Sequence, residues 1–356
     1  MFKRSSGVLA HVTSLPSPHG VGTMGRTACE FIDFLADAHQ TYWQVLPLGH
    51  TGFGDSPYQC FSAAAGNPYL IDMDLLVEYG LLTADEVRSG DFNASPDVAD
   101  FEQLADTRWP LFRKAYSRVT PEMKAAIADF TEENREWLLD YALFMALKEE
   151  KYHHMPVYMW PDKDVRDRKP AALEKVTAEL RDEVDFRIFL QYIFFKQWTA
   201  LREYANEKGI QIIGDIPIYV SADSSDVWTH PKLFKLKPDR SPKLVAGVPP
   251  DYYSATGQLW GNPVYNWAAH KAENYAWWIW RMKSNMALFD VVRLDHFRGF
   301  AAYWEVGADE ETAINGKWRK GPGMELFNAI EKALGPVPLI AEDLGVQTDE
   351  VKKLLE

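Results

Sequence analysis

The chain has 356 residues, of which 47% are hydrophobic and 25% are charged. These values are ordinary for a soluble globular protein, and the length allows one large α/β domain or two smaller ones. The net charge is -13 and no Lys/Arg cluster stands out, which argues against nucleic acid as a partner because phosphate backbones require concentrated positive charge. No run approaches the ~20 apolar residues that span a bilayer, so the sequence predicts no membrane partner and a cytoplasmic location.

The N-terminal segment predicts a βα repeat. A strand over 7–15 is followed by a helix over 27–40, with apolar residues on one face, and by a second strand over 42–48. A strand, a helix and a strand in this order imply that the two strands are parallel. The cysteines, Cys29 and Cys60, are too few for a disulfide framework or a thiolate metal site.

A Gly-rich loop over 49–59 follows the second strand and carries Ser56 and Tyr58. Loops at the C-terminal ends of parallel strands are where α/β folds build their sites. A plain surface connection is the alternative. We treat this loop as a candidate part of a functional site.

The segment from 67 to 183 predicts a mostly helical inserted subdomain, and a further helix leads back to the sheet. The adjacent His153 and His154 have no carboxylate or Cys at ligand spacing, so we predict no metal site. The helices are expected over 72–82, 101–119, 122–152, 171–182 and 184–208.

Three further strands are predicted over 210–220, 291–299 and 337–345, each with an acidic residue near its C-terminal end. These residues are Asp215, Asp295 and Glu342. A long segment over 221–270 is expected to be a loop-rich insertion over the cleft, because long loops in compact domains are usually functional.

Five βα units are therefore visible, whereas a (β/α)₈ barrel of the TIM type needs eight. The last predicted helix begins near Thr348 and is cut at Glu356. We predict an α/β fold in which residues 1–356 form the N-terminal part of one catalytic barrel domain with helical insertions. Strands six to eight are expected to be absent, so the barrel is truncated after about the fifth βα unit.

Arg293 and Asp295 lie two positions apart on the fourth predicted strand, so their side chains are expected to point to the same side. Such a side is normally apolar inside a sheet. An adjacent guanidinium favours the ionised form of a carboxylate, which suits an Asp that acts as a nucleophile. A structural ion pair at a strand end is the alternative interpretation.

Two carboxylates that face one cleft are the minimum apparatus of a glycosidase-type enzyme, and in the retaining version they lie ~5–5.5 Å apart. Residues on neighbouring strands, ~4.8 Å apart, can span that gap. Asp295 suits the nucleophile, and Glu342, with no cation beside it in sequence, suits the acid/base. A Mg²⁺-dependent barrel of the enolase type is an alternative on pattern alone. The aromatic content, 13% of the chain, favours a cleft that stacks sugars.

Several separate motifs resemble those of glycoside hydrolase family 77, the 4-alpha-glucanotransferases, which are related to the α-amylases. The resemblance covers essentially the whole chain. Each motif alone is weak, but the set in this order is very specific. The motifs are HVTSLPS at 11–17, GDSPYQ at 54–59, GNPYL at 66–70, GDIPIY at 214–219, GQLWGNP at 257–263, RLDHFRG at 293–299 and IAEDLG at 340–345.

The resemblance implies Asp295 as nucleophile and Glu342 as general acid/base, with Arg293 and Asp215 in support. No cofactor is implied. The residues implied to hold glucose units are Tyr58, Asp251 and Trp260, with Trp260 on a mobile loop over the cleft. For Tyr58 and Trp260 ordinary packing is the alternative, and for Ser56 and Asn262 sugar contact and a turn-forming role are both open.

The implied substrates are maltooligosaccharides and α-1,4-glucans, whose segments are transferred by double displacement. The family also uses a third catalytic Asp in a His-Asp-Asn segment on the seventh strand, and this sequence has no such segment. We therefore expect this polypeptide alone to be inactive. The rival functions are a related α-glucan hydrolase and a non-catalytic glucan-binding fragment.

Overall fold

A computed structural model of the protein describes residues 4–92, 98–344 and 348–355. The last position of the predicted fifth strand, Gly345, lies outside the described residues. The strands are β1 Gly7–Leu9, β2 Tyr42–Gln44, β3 Gln211–Ile216, β4 Leu244–Val248, β5 Gln258–Pro263, β6 Val291–Leu294, β7 Ala302–Gly307, β8 Lys317–Lys320 and β9 Leu339–Ala341.

Helices cover much of the remaining chain. The α-helices are α1 Arg26–Asp37, α2 Met73–Glu78, α3 Ala84–Arg88, α4 Phe101–Tyr116, α5 Pro121–Glu133, α6 Leu138–Ala146, α7 Lys163–Arg166, α8 Pro170–Glu179, α9 Arg181–Glu207, α10 Ser225–Thr229, α11 Trp267–Ala272, α12 Ala276–Leu288, α13 Met324–Leu334 and α14 Asp349–Leu355.

The predicted parallel strands form one five-stranded sheet in the order β1-β2-β3-β6-β9. All four strand pairs are parallel, as the βα pattern predicts. β1 and β9 lie at the two ends of this order. The α/β class is thus confirmed, whereas a closed eight-stranded barrel is not observed in the part of the chain that the structure describes.

The observed strands are shorter than the predicted ones. The predicted strand over 7–15 ends at Leu9, and a 3₁₀ turn follows over Val12–Ser14. The second strand ends at Gln44, shortly before Pro47. Proline lacks the N–H that a ladder requires, so extended apolar segments beside prolines leave the sheet early.

The described residues between 67 and 183 are largely helical, but the single helix predicted over 122–152 is divided. α5 ends at Glu133, and Asn134 then donates its side-chain amide to the carbonyl of Phe130 (2.9 Å) and accepts the indole N–H of Trp137 (3.2 Å). These local bonds give the backbone an alternative to helix continuation. α6 then begins at Leu138 as a separate helix.

A second sheet, with four antiparallel strands in the order β5-β4-β7-β8, was not predicted. β4 and β5 lie within the segment 221–270 that we expected to be loop-rich, and β7 and β8 follow the fourth predicted strand. The strands of this sheet come from separated segments, so the sequence carries no hairpin signal that joins β5 to β4 at short range.

The main hydrophobic core lies between the parallel sheet and its helices, where Trp43, Trp198 and Val292 are almost fully buried. A second cluster, centred on α6 and including Phe144 and Trp160, belongs to the helical region. Across the described residues, the helices all fall short of the combined length and hydrophobicity that a bilayer crossing requires.

Candidate active site

Three carboxylates meet at the C-terminal edge of the parallel sheet. Asp215 in β3 lies opposite Arg293 in β6 in the strand register. Asp295 follows β6 and donates its backbone N–H to the end of β3 (3.0 Å), and Glu342 follows β9 and donates its backbone N–H to the end of β6 (3.2 Å). The ladder thus continues one residue beyond the strands. It places the acidic residues of three neighbouring strands at one edge.

Arg293 contacts all three carboxylates. Its Nη1 lies 2.7 Å from both oxygens of Asp215 and 3.0 Å from Oδ1 of Asp295. Its Nη2 lies 3.1 Å from Oε1 of Glu342. The sequence predicted the contact with Asp295, whereas the contact with Glu342 was not predicted, because Arg293 is distant from Glu342 in the sequence. One positive charge therefore serves three carboxyl groups.

Burial and the excess of carboxyl groups over cations affect the pKa values of Glu342 and Asp215. The pKa of Glu342 is raised by burial and by the neighbouring Asp295, against the opposing effects of Arg293 and a backbone N–H. Burial also raises the pKa of Asp215 in spite of its bonds with Arg293. Burial opposes the charge of Arg293, but the carboxylates of Asp215 and Asp295 prevail and raise its pKa. The raised pKa of Glu342 favours its protonated form, as the acid step of an acid/base group requires.

A strained turn after β6 orients Glu342. His296 has a positive φ of 48°, which is uncommon for a residue other than glycine. In this conformation the backbone N–H of His296 donates a short hydrogen bond to Oε2 of Glu342. Burial lowers the pKa of the His296 side chain to about 4, so its imidazole is neutral near pH 7. No pattern in the sequence indicates this backbone donor.

The Gly-rich loop after β2 brings Tyr58 to the carboxylate cluster. The hydroxyl of Tyr58 donates to Oδ2 of Asp215 at 2.9 Å. Burial and the Asp215 charge raise the pKa of Tyr58, so the phenol remains a donor. The hydroxyl of Ser56 accepts the backbone N–H of Tyr58 at 3.3 Å, which gives Ser56 a turn-forming contact.

Trp260 and Asn262 lie on β5, not on the mobile loop that the resemblance implied for Trp260. The pairing of β4 with β5 shifts register between Val245 and Gly247, and Gly261 has a φ of 78° at this irregularity. Irregularities of this kind redirect side chains at the edge of a sheet. Trp260 packs its ring edge-on against His296, with centroids 4.8 Å apart.

Gln59 joins the loop after β2 to β5. Its side-chain amide donates to Oδ1 of Asn262 at 2.8 Å and lies 3.4 Å from the carbonyl of Trp260. Asn262 in turn donates to the carbonyl of Val220 at 2.9 Å. Asn262 is therefore a structural link, and sequence reasoning did not single out Gln59 as its partner.

A cavity of about 350 Å³ opens beside the nucleophile candidate. It has an aromatic wall and a polar wall. Asp251 is not among its lining residues, and its carboxylate instead accepts the N–H groups of Tyr253 and Ser254 in an exposed turn. The cavity is lined by Ser56, Tyr58, Gln59, Pro217, Ile218, Tyr219, Trp260, Asn262 and Asp295.

The described residues contain no cluster of three or more His, Cys, Asp or Glu arranged to hold a metal ion. The guanidinium of Arg293 occupies the space among the carboxylates, where a divalent cation would lie in a Mg²⁺-dependent barrel. The positive charge at this position is thus supplied by Arg293.

Residues 10–356 match the family model described as 4-alpha-glucanotransferase, glycoside hydrolase family 77. The chain belongs to the 4-alpha-glucanotransferase family. It is 49% identical over 341 residues to the 4-alpha-glucanotransferase of Clostridium butyricum, which covers 96% of this chain and 70% of the relative. It is 48% identical to that of Thermus thermophilus, over 99% of this chain and 70% of the relative.

Solved structures agree with this membership in an enzyme family. The amylomaltase from Streptococcus agalactiae in complex with acarbose matches with a TM-score of 0.96 and 47% identity, over 99% of this chain and 71% of that chain. The amylomaltase from Corynebacterium glutamicum matches with a TM-score of 0.80 at 20% identity, which shows the shared fold alone.

Proposed function

We propose that this member of the 4-alpha-glucanotransferase family transfers α-1,4-glucan segments between maltooligosaccharides by double displacement. The observation that carries the proposal is the contact of one guanidinium, that of Arg293, with three carboxylates at the ends of adjacent strands. Among these, Asp295 borders the cavity, and Glu342 has a raised pKa.

In the first step a carboxylate oxygen of Asp295 attacks the anomeric carbon of the donor glucan. The glycosidic bond breaks, and Glu342 gives its proton to the departing 4-oxygen. A covalent glucosyl ester on Asp295 remains. Arg293 contacts Asp295 and Glu342 and holds both acids in position, and its own guanidinium is fixed by two contacts with Asp215.

In the second step the ionised Glu342 removes the proton from the 4-hydroxyl of an acceptor sugar. The acceptor oxygen attacks the glucosyl ester, Asp295 leaves, and a new α-1,4 bond forms. Transfer outcompetes hydrolysis when acceptor binding excludes water. Trp260 and Tyr219 supply an aromatic wall on which an acceptor ring can stack.

The substrate class follows from the same cavity. The Streptococcus agalactiae relative was solved with acarbose, and we propose that an α-glucan chain lies along the corresponding cleft here. Tyr58, Trp260 and Asn262 line that cleft and are proposed to contact glucose units, whereas Ser56 supports the loop. Sugar binding by Asp251 stays a prediction, since its contacts lie within its own turn.

At the level of the fold, we propose that the five parallel strands belong to a barrel of the (β/α)₈ type. The helical region 67–183 is proposed to be an inserted subdomain, because its second half packs in a separate hydrophobic cluster around α6, although its first half packs in the main core. The segment 221–270 is proposed to be an insertion beside the cleft, and β5 carries Trp260 from it into the cavity lining.

Maltotriose distinguishes transfer from hydrolysis. Incubation of the protein with maltotriose should yield glucose together with a ladder of longer oligosaccharides, separated by anion-exchange chromatography. Glucose and maltose without longer products would instead support the rival α-glucan hydrolase. Binding without any product would support the rival glucan-binding role.

A further inference from the structure

A basic cavity of about 700 Å³ lies apart from the carboxylate cluster. We call it the Arg298 cavity. The side chains of Arg298, Trp318, Lys320 and Lys353 line this cavity, and so does the start of α13 at Met324. Such a concentration of cations is unusual on a chain whose net charge is -13.

Arg298 is the central feature of this cavity. It is only 9% exposed, and its Nε has no hydrogen-bond partner among the residues that the structure describes. No described carboxylate lies within ion-pair distance of its guanidinium. A buried charge without a partner is costly, by several kcal/mol in general, so a resident anion is expected to compensate it.

The surroundings of Arg298 fix its guanidinium in one place. The indole of Trp318 lies 4.2 Å from the guanidinium carbon and packs against it. Burial lowers the pKa of Arg298, since no acid offsets the loss of hydration. A rigid guanidinium presents its N–H groups in a planar fork that matches oxyanions such as phosphate.

Two lysines and a helix terminus complete the donor set. Lys320 and Lys353 line the cavity, and neither forms an ion pair with a described residue. α13 begins after Gly323, which provides no side-chain cap, and Gly323 and Met324 line the cavity; of the first N–H groups, that of Leu326 donates to the carbonyl of Gly323 (3.3 Å). Helix N-termini of this kind favour anions.

Two other lining residues, Arg319 and Glu350, contribute little to the charge available for anion binding. Arg319 is engaged by Glu305 at 2.5 Å and is not free to bind a ligand. Glu350 is the acidic side chain in the lining, but it is exposed at the start of α14, where a backbone N–H and Thr348 stabilise its charge and lower its pKa. The cations therefore outnumber the acid around the cavity.

We propose that the Arg298 cavity binds a phosphate-type oxyanion, either inorganic phosphate or the phosphate group of a sugar phosphate. Arg298 supplies the buried fork, and Lys320, Lys353 and the first turn of α13 close around the remaining oxygens. The site is separate from the proposed transfer reaction and does not depend on it.

Isothermal titration calorimetry at constant ionic strength tests the proposal, with inorganic phosphate and glucose 1-phosphate as probes and maltotriose as the neutral comparison. We expect either phosphate probe to bind and Arg298→Met to weaken that binding by about tenfold or more. Tighter binding of glucose 1-phosphate identifies a sugar phosphate as the source, and equal binding identifies the free anion.

Matched variants separate the site from general surface charge. Lys353→Met is expected to weaken phosphate binding by roughly threefold, whereas Lys352→Met, one position away on α14 and outside the cavity lining, is expected to leave it unchanged. If Arg298→Met does not fold, the double variant Lys320→Met/Lys353→Met serves in its place. Absence of phosphate binding to the unaltered protein, or equal binding in all variants, overturns the proposal.

Discussion

Nη2 of Arg293 lies 3.1 Å from Oε1 of Glu342, although no cation precedes or follows Glu342 closely in the sequence. The same guanidinium lies 3.0 Å from Asp295. The proposed nucleophile and the proposed acid/base are thus held by one side chain, so their separation is set by a rigid planar group. This relationship leads to several predictions.

Asp295→Ala should abolish transfer while oligosaccharide binding remains measurable, because the substitution removes the attacking oxygen but leaves the cavity walls in place. Product formation from maltotriose and calorimetric binding of the same sugar are the two measurements. The matched control is Asp309→Ala, whose carboxylate is 85% exposed in the neighbouring sheet region. Turnover of Asp295→Ala near the unaltered rate would contradict the assigned role.

Glu342→Gln should change how stability depends on pH. The pKa of Glu342 is raised in the folded protein above its ordinary value of 4.5. Between 4.5 and this higher pKa, the native state therefore binds more protons than the unfolded state. The free energy of unfolding therefore falls as pH rises through this window, and the contribution of the protonated acid is fully present only below it. A glutamine cannot titrate, so this part of the decline is absent from the variant.

Urea denaturation at about pH 4 and about pH 8 measures this difference. The stability of Glu342→Gln relative to the unaltered protein is expected to increase with pH. The exposed Glu331→Gln serves as control and should show no such trend. A relative stability that falls as pH rises would mean that the pKa of Glu342 is lowered in the folded state.

Arg293→Met should destabilise the protein by about 3 kcal/mol near neutral pH and eliminate transfer, because three carboxylates lose their common partner. The loss of stability should be smaller at acidic pH, where the carboxyl groups are protonated and no longer repel one another. Thermal and urea denaturation at several pH values measure the effect. An equal loss at every pH would show that packing, not charge, is what Arg293 contributes.

Tyr58→Phe removes the 2.9 Å hydrogen bond to Asp215 and keeps the ring. We expect the free energy of unfolding to fall by about 1 kcal/mol and kcat/KM for transfer to fall by roughly tenfold. Tyr204→Phe is a suitable control, since it removes a hydroxyl bond to Asp33 at the surface. If the two variants have the same kinetics, Tyr58 does not support the cluster.

Trp260→Ala should raise KM for maltotriose by roughly tenfold, because the aromatic wall of the cavity is lost. Trp260→Phe keeps an aromatic face and should retain most of the affinity. Steady-state kinetics with both variants give the comparison. An unchanged KM in Trp260→Ala would show that Trp260 does not bind the substrate and only packs against His296.

Much of the parallel sheet was predictable because each βα repeat is a local pattern. The order of strands along β1, β2, β3, β6 and β9 follows the chain order of the five predicted strands. Three acidic residues near strand ends predicted a shared edge, and Asp215, Asp295 and Glu342 indeed meet there. The division of α5 from α6 was missed, since the Asn134 side-chain bonds that favour it are weak local competitors of a helix.

Local sequence patterns, which predicted the parallel sheet, did not predict the antiparallel sheet or the hydrogen bonds around the cavity. Gln59 and Asn262 form a reciprocal amide pair across a long stretch of chain, and a lone amide in sequence does not indicate its partner. The backbone donor of His296 depends on a positive φ that no residue type requires. Trp260 was expected on a loop but lies on β5, whose irregular antiparallel pairing with β4 across a long connection has no short hairpin signal in the sequence.

The sequence by itself determined the α/β class, the family and the identity of the acidic residues, because strand periodicity and motif spacing are local properties of the chain. Only the tertiary structure decided that Arg293 contacts Asp215, Asp295 and Glu342 together, and that burial and the neighbouring Asp295 raise the pKa of Glu342 against the effect of Arg293. The physical reason is that burial and charge–charge interactions depend on distances between strands, and those distances exist only after the sheet has formed.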